Sequence, residues 1–308
     1  MTNVSVQSPN NNMQSGYAAK KRAANIAIYI ILSIMVVLWI FPIFWLVIQA
    51  FRGEPGISTS YLFPKQWTFD NFIRLFVERD DVTGEIVPQS EMIYPYGKWI
   101  LNTLFVAICS CIISTLIILM VSYAFSRLRF KSRKTFLNLG LILGMFPGFM
   151  SMAATYNIME IFGLKQSLFG LILVYSAGAG LGYQVSKGFF DTIPRSLDEA
   201  AKIDGATRNQ IFWIIILPLS KPIIVYTALT TFIGPWGDYI FVSYFMKANK
   251  DNFTVALGLY SMLEPEHITE YFTTFCAGAV LIAIPITILF IIMQRFYVAG
   301  VTGGAVKG

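Results

Sequence analysis

The sequence predicts an all-α integral membrane protein with six transmembrane helices and both termini on the cytoplasmic side. Three observations carry that prediction. The 308 residues are 56% hydrophobic and only 13% charged, about half the charged share of an ordinary soluble domain. Uncharged stretches recur at the length a bilayer demands, roughly 20 residues of helix. Lys and Arg gather at alternate ends of those stretches, as the cytoplasmic bias of basic residues requires.

Five stretches are uncharged over a spanning length: Ala23–Phe51, Trp99–Ser126, Thr135–Met159, Gln166–Ser186 and Tyr271–Gln294. A sixth, Asn209–Gly237, is interrupted only by Lys221, and a lysine near a helix end can reach back to the interface. The first run is too long for the core of a signal peptide, so it reads as an uncleaved span. Six spans place Lys20, Lys21, Arg22 and the tight cluster Arg127, Arg129, Lys131, Arg133 and Lys134 on the inner side. Most acidic residues fall outside. The net charge of +6 is thus mainly topological, and no nucleic-acid partner is expected. The chain divides into a cytoplasmic tail (1–22), a first span (23–51), an external loop (52–98), a core of five spans (99–294) and a cytoplasmic C-terminal tail (295–308). The core includes a cytoplasmic loop at 191–213 and a second external loop at 247–270.

Gly140, Gly144 and Gly148 share one face of the third span, where missing side chains let a neighbouring backbone approach. Gly178 and Gly182 repeat the device in the fourth, unless the Gly-Ala-Gly-Leu-Gly run loosens that helix instead. Pro42, Pro147 and Pro285 each remove an intrahelical hydrogen bond and are expected to kink their spans. Cys109, Cys111 and Cys276, odd in number and set among apolar residues, predict no disulfide framework. His267, the lone histidine, cannot build a histidine metal site by itself. The chain shows no metal-ligand cluster and no nucleophile–base pair. No G-x-x-x-x-G-K-[ST] phosphate loop is present, so the chain is not expected to bind ATP or to be an enzyme.

Between the fourth and fifth spans lies the most strongly punctuated polar segment, EAAKIDGATRNQIFWIIILPLSKP, from Glu199 to Pro222. Ser196-x-x-Glu199 fits a capping box and Thr207-x-x-Gln210 fits a second. Gly205 stands where a left-handed C-cap is needed. A short helix over about Leu197–Asp204 follows, then a corner, then a helix entering the membrane. Eight residues are too few for a helix stable alone in water. Leu197, Ala200, Ala201 and Asp204 share a face. That face either packs on this chain's own cytoplasmic ends or docks a soluble partner.

Glu199-Ala200-Ala201, three residues, Gly205 and then Ile215-Ile216-Leu217-Pro218 resemble the EAA loop of ABC-importer permeases. The length, the six spans and the segment Pro194–Pro222 are similar to carbohydrate-importer permeases. The tail from Gly300 to Gly308 and Thr254-Val-Ala-Leu-Gly-Leu resemble the smaller permease subunit of maltose/maltodextrin importers. The resemblance runs from about Ala24 to the end. It implies a type I ABC importer permease (MetI-like) fold in a bacterial plasma (inner) membrane. It implies a second permease subunit, an ATPase subunit dimer holding ATP and Mg, and an extracytoplasmic sugar-binding protein. By position, Glu199, Ala200, Ala201, Asp204 and Gly205 would contact the ATPase. Glu199 is the choice for a charge contact, in competition with a capping role. Gly303, Gly304 and Lys307 would reach the ATPase pair from the tail. Trp236, Asp238 and Tyr239 are candidates for the sugar path, or else an interface anchor. Gly237 stands there in place of the Asn of the related Trp-Asn-Asp pattern. Within Asn252–Glu270, Tyr260, Glu264 and Glu266 are candidates for contact with the binding protein. A rival from another class, a self-sufficient secondary transporter, would carry ionisable residues in mid-span, and these are nearly absent.

Overall fold

The computed structural model describes residues 11–57, 59–79, 85–88, 91–146, 148–246 and 249–302. The chain is helical almost throughout. Helix α1 (Asn11–Ala50) opens it. A folded loop follows, with the short helix α2 (Asp70–Arg74) and a two-strand ribbon of β1 (Glu78–Arg79) and β2 (Ile86–Val87), antiparallel with Glu78 opposite Val87. Then come α3 (Tyr96–Arg127), α4 (Arg133–Gly144), α5 (Met152–Ile161), α6 (Leu168–Ala179) and α7 (Tyr183–Thr192). The polar segment forms α8 (Ser196–Ile203), then α9 (Arg208–Gln210), a π-helical stretch Ile211–Ile216 and α10 (Leu217–Leu219). Helices α11 (Lys221–Gly237), α12 (Ile240–Met246), α13 (Val255–Ser261) and α14 (Ile268–Thr302) complete the chain.

Four helical stretches are long and apolar enough to cross a membrane: Lys20–Ala50, Tyr96–Arg127, Leu168–Thr192 and Ile268–Gln294. The other two expected spans are not straight. Arg133–Gly144 and Gly148–Ile161 meet at 96°, and Arg208–Leu219 and Lys221–Gly237 meet at 85°. The count among the described residues is therefore four, or six if each bent pair is one span. The second bend has a local cause. Pro218 has no N–H for an intrahelical bond, and the turn before it is wound wide as π helix. Ser220 then ends one segment and opens the next. Its hydroxyl donates to the Ile216 carbonyl at 2.6 Å, and its own carbonyl accepts from the N–H groups of Ile223 and Ile224. The helix opened by Thr207 thus stops at the break and does not enter the membrane as one rod.

The glycine pattern divides. A Cβ on Gly140 would lie 3.2 Å from the Tyr183 ring, so close approach is real there. Gly144, Gly148 and Gly178 face open space, so the one-face packing stripe is not formed. The run Gly180–Gly182 winds as a 3-10 turn between α6 and α7, which is the loosened alternative. Pro42 and Pro285 sit inside helices that continue past them, and Pro147 lies outside the described residues. The three cysteines are free thiols.

Helix α3 is the centre of the bundle and packs against α6, α7 and α11, while α1 packs on α14. Its small polar residues join it to its neighbours, as they do where lipid supplies no hydrophobic drive between helices. Ser122 donates to the Tyr183 carbonyl at 3.0 Å, Tyr96 donates to the Gly278 carbonyl at 2.7 Å, and Thr115 meets Thr231 at 3.3 Å. By contrast, the stretch 20–44 of α1 is exposed along its whole length. Buried apolar residues form two groups. One surrounds Trp99, Trp236 and Phe245 at the end that carries the long loop; the other, around Tyr123, Phe190 and Ile211, lies beneath α8.

The long loop is tied down by backbone-directed side chains. Asn71 donates to the carbonyls of Ala50 and Arg52 at 3.0 and 2.8 Å and accepts from Thr273 at 2.9 Å. One oxygen of Glu54 accepts from the N–H groups of Lys65 and Gln66. Burial acts to raise the Glu54 carboxyl, but its backbone hydrogen bonds outweigh that and hold it below the usual range. At the same end α13 is clamped to α3. Asn102 donates to the carbonyls of Asp251 and Phe253, and the Val255 N–H donates to Thr103 at 2.8 Å. Gly258 makes this possible, because a Cβ there would lie 2.2 Å from the Trp99 ring. Gly258→Ala is expected to destabilise the fold by about 1–3 kcal/mol through overpacking. A lower thermal midpoint in detergent checks this, and an unchanged midpoint contradicts it.

Candidate functional site

The polar segment folds into a hairpin at one end of the bundle. Helix α7 ends at Thr192, and Ile193 runs extended into Pro194. Helix α8 then begins at Ser196 behind Arg195, whose backbone is already helical, and no side chain caps it. The expected Ser196–Glu199 capping box is therefore not formed. Its place is taken by backbone carbonyls: the Leu197 N–H donates to Pro194 at 3.4 Å and the Glu199 N–H to Arg195 at 3.1 Å. The competition over Glu199 is resolved against capping, and its side chain is exposed.

The corner follows the sequence reading. Gly205 has φ +84°. Its N–H donates to the Lys202 carbonyl, and the Ala206 N–H donates to the Ala201 carbonyl at 2.9 Å. These two bonds make a Schellman cap, which satisfies the last carbonyls of α8. The second capping box forms as predicted. The Gln210 N–H donates to Thr207 Oγ1, and the Thr207 N–H donates to Gln210 Oε1 at 2.8 Å.

The orientation of α8 differs from the expected stripe. Ala201 and Asp198 turn inward, Ala201 into the apolar group of Tyr123, Phe190, Ile211 and Phe212. Leu197, Glu199, Ala200, Ile203 and Asp204 are exposed, Ile203 to 87%. The predicted docking residues thus split: Ala201 belongs to this chain's own core, and Glu199, Ala200 and Asp204 face outward beside the Gly205 corner. An exposed isoleucine and leucine on so short a helix make a compact apolar knob with Glu199, Lys202 and Asp204 at its rim.

The inward side holds a contact that sequence reasoning missed. Asp198 Oδ2 pairs with Arg127 Nη1 at 3.4 Å, with side chains only 10% and 3% exposed. Arg127 Nη2 also donates to the carbonyls of Phe190 and Ile193 at 2.8 and 2.7 Å. One guanidinium therefore binds the end of α7, the linker and α8 together, using the planar fork that a lysine lacks. Removing one partner of such a buried pair strands a charge, at a cost of about 3–5 kcal/mol. Around it, Arg195 reaches the Ser126 carbonyl, Ser126 donates to Asp191 at 2.6 Å, and the Tyr123 hydroxyl donates to the Arg208 carbonyl at 3.1 Å. A cleft of about 280 Å³ opens here between Arg127, Arg129, Arg195, Glu199, Lys202 and Arg208. The only sequence signal for Asp198 is an acid in the first turn of a helix, which the macrodipole favours; its partner lies far away in the chain.

At the opposite end, the other candidates are brought partly together. The Tyr239 ring lies on that of Tyr260, centroids 3.9 Å apart, so one sugar-path candidate and one binding-protein candidate share a contact. Asp238 is engaged internally: Oδ2 accepts from the Tyr175 hydroxyl at 2.9 Å and Oδ1 from the Phe241 N–H at 3.0 Å. Trp236 is buried beside Gly234, Tyr260 and Ala279 in an apolar groove of about 690 Å³. Glu264 and Glu266 project from the exposed turn between α13 and α14. Nearby, burial pushes the Tyr94 phenol up to about 12, with the Tyr271 ring beside it. Gly303, Gly304 and Lys307 lie outside the described residues.

Residues 15–303 match the family model described as binding-protein-dependent transport system inner membrane component. The chain belongs to that family. This inner-membrane component is 37% identical over 282 residues to the galactooligosaccharides transport system permease protein GanQ of Bacillus subtilis (strain 168), covering 91% of this chain and 94% of that one. It is 34% identical over 297 residues to the maltodextrin transport system permease protein MalD of Streptococcus pneumoniae (strain ATCC BAA-255 / R6), covering 96% and 100%. To the maltose/maltodextrin transport system permease protein MalG of Escherichia coli (strain K12) it is 32% identical over 287 residues, covering 91% and 95%. Its fold is shared with a chain of a bacterial ABC transporter involved in the import of the acidic polysaccharide alginate. There the TM-score is 0.72 at 20% identity, over 94% of this chain and 100% of that one. The inner-membrane component thus has the fold of an ABC importer permease. Like its permease relatives it is a multi-pass membrane subunit and not an enzyme.

Two substitutions test the construction of the hairpin. At Gly205 nothing lies within 4 Å of a built Cβ, so Gly205→Ala meets only the left-handed backbone penalty, about 1–2 kcal/mol. Thr207→Ala removes the second cap at about 1 kcal/mol. Both are expected to speed amide hydrogen exchange across 196–210, with Gly205→Asn milder than Gly205→Ala. Equal protection in wild type and Gly205→Ala contradicts this.

Proposed function

We propose that the chain is the transmembrane permease subunit of an ATP-driven sugar importer of the maltose/maltodextrin kind. It would form half of the translocation pore beside a second permease subunit. In this reading the two bent pairs each count as one span, giving six spans with both termini in the cytoplasm. The segment divisions are those of the hydropathy reading, with the loop at 191–213 cytoplasmic and those at 52–98 and 247–270 external. The ATPase site, with its ATP and Mg, belongs to a pair of partner subunits, and an extracytoplasmic sugar-binding protein delivers the solute.

The observation that carries the reading is the split face of α8. Asp198 and Ala201 fix the helix from within, while Leu197, Ala200 and Ile203 stay uncovered. A short helix held this firmly with an apolar face outward is suited to a cleft on a soluble partner. Glu199 and Asp204 supply charge at its rim. In the same reading Gly303, Gly304 and Lys307 reach the ATPase pair. Tyr260, Glu264 and Glu266 face the binding protein, and Trp236 and Tyr239 border the sugar path. Asp238 borders the same path while holding α11 to α6 through Tyr175, and each of its oxygens keeps a second lone pair that a sugar hydroxyl can use.

The similarity to a galactooligosaccharide permease at 37% identity supports a second substrate, a galacto-oligosaccharide. The importer reconstituted in nanodiscs with its binding protein separates them. Maltotriose and maltopentaose are expected to stimulate ATP hydrolysis, and galactotetraose is not. The reverse order favours the second reading. Stimulation by no glycan, or uptake by the chain alone in liposomes, defeats the importer reading. Gly205→Pro is expected to abolish co-purification of the ATPase subunits while the chain stays in the membrane; unchanged co-purification contradicts the docking role.

A further inference from the structure

We propose that α3 carries movement of the α8 hairpin into the bundle, with Arg127 and Asp198 as its positioning residues, although α11 is the element next in the chain. The inference rests on the docking reading of α8 and adds the route by which docking is felt.

The covalent route from α8 to α11 is soft. It passes the left-handed corner at Gly205, a π-helical stretch at Ile211–Ile216 and the 85° break at Ser220. The corner and the break each turn the backbone, and the π-helical stretch lacks the regular hydrogen-bond ladder of an α-helix. The route through space is stiff. Arg127, in the last turn of α3, pairs with Asp198 and donates to the carbonyls of Phe190 and Ile193. One turn earlier, Tyr123 donates to the Arg208 carbonyl, on the far leg of the hairpin. The end of α3 therefore grips α7, α8 and α9 at once, and a displacement of α8 relative to α3 must break a buried ion pair.

Helix α3 is also the right lever. Its 32 residues run without an internal proline, a length of about 48 Å. Its other end holds the second loop through Lys98–Asp251 at 2.5 Å, the Thr103–Val255 bond and the Trp99–Gly258 contact. A tilt imposed at Arg127 is thus delivered directly to α13, at the face where the binding protein would sit. Two discrete states biased from both ends are what coupling between distant sites requires.

The test uses the complete importer, with its partner permease and ATPase subunits, in nanodiscs. Cys109, Cys111 and Cys276 are replaced by alanine. Spin labels are placed at Ser196→Cys with Met120→Cys, across α8 and α3, and at Ser196→Cys with Thr230→Cys, across α8 and α11. Distances are compared between the nucleotide-free and vanadate-trapped states. The α8–α3 distance is expected to stay fixed while the α8–α11 distance shifts. Arg127→Ala is expected to broaden the α8–α3 distribution. Arg127→Lys, which keeps the charge without the fork, is expected to give an intermediate width, a graded response that simple misfolding does not produce. A wild-type α8–α3 distance that shifts on trapping, or an Arg127→Ala distribution as narrow as wild type, overturns the proposal. Failure of the docking reading appears elsewhere, as ATPase subunits retained by a Gly205→Pro chain in the pull-down.

Discussion

The hairpin depends on one guanidinium. Arg127 sits where α3 ends, buried by α7 and α8, and three separate segments direct oxygen atoms at it. A buried arginine is costly unless its charge and its donors are both met. Here Asp198 meets the charge and two carbonyls take the Nη2 donors, while Nε is left without a partner; these contacts fix where α7 stops, how the chain turns through Ile193 and which side of α8 faces inward. The exposed face of α8 is then set by default, because a helix pinned through Asp198 and Ala201 has only one side left to present. An eight-residue helix with no side-chain cap at its start has little stability of its own; its order is borrowed from α3.

The same helix solves the membrane problem at its other levels. No water is at hand in a bilayer to satisfy polar groups, so α3 bonds through hydroxyls to its own carbonyls and to polar groups of α7 and α11. Ser122 and Thr115 are examples. At the loop end the contacts change character, to a salt bridge, an amide fork and a tryptophan seated on a glycine. Function follows from this arrangement. Two surfaces that face different compartments in the importer reading, the α8 knob and the α13–α14 turn, are mounted on one rod.

Much of this was legible in the sequence, and the reasons for the rest are physical. The long helices were readable because their signal is composition over length, and α1, α3 and α14 carry it plainly. The two bends were not, because hydropathy counts apolar residues without recording direction. Pro218, followed by Ser220, was the available clue to the second bend, and Lys221, tolerated as a snorkelling residue inside a span, in fact opens the next helix. The Gly205 corner and the Thr207–Gln210 box were readable because their chemistry is local. Ser196 misled for the same reason: its spacing to Glu199 was right, but the carbonyls of Pro194 and Arg195 reached the N–H groups first. Ala201 was assigned to the wrong side, since four residues at helical spacing do not say which of them the fold will bury. The Arg127–Asp198 pair joins residues distant in the chain, and nothing local announces it.

The central claim is that the uncovered face of α8 is where the chain meets its ATPase. Hydrogen exchange of the membrane-embedded chain, with and without its ATPase subunits bound, addresses it most directly. The account predicts new protection concentrated in 196–205, with the buried turn of α3 around Arg127 unchanged. Protection elsewhere on the chain, with 196–205 exchanging as fast as before, would contradict it.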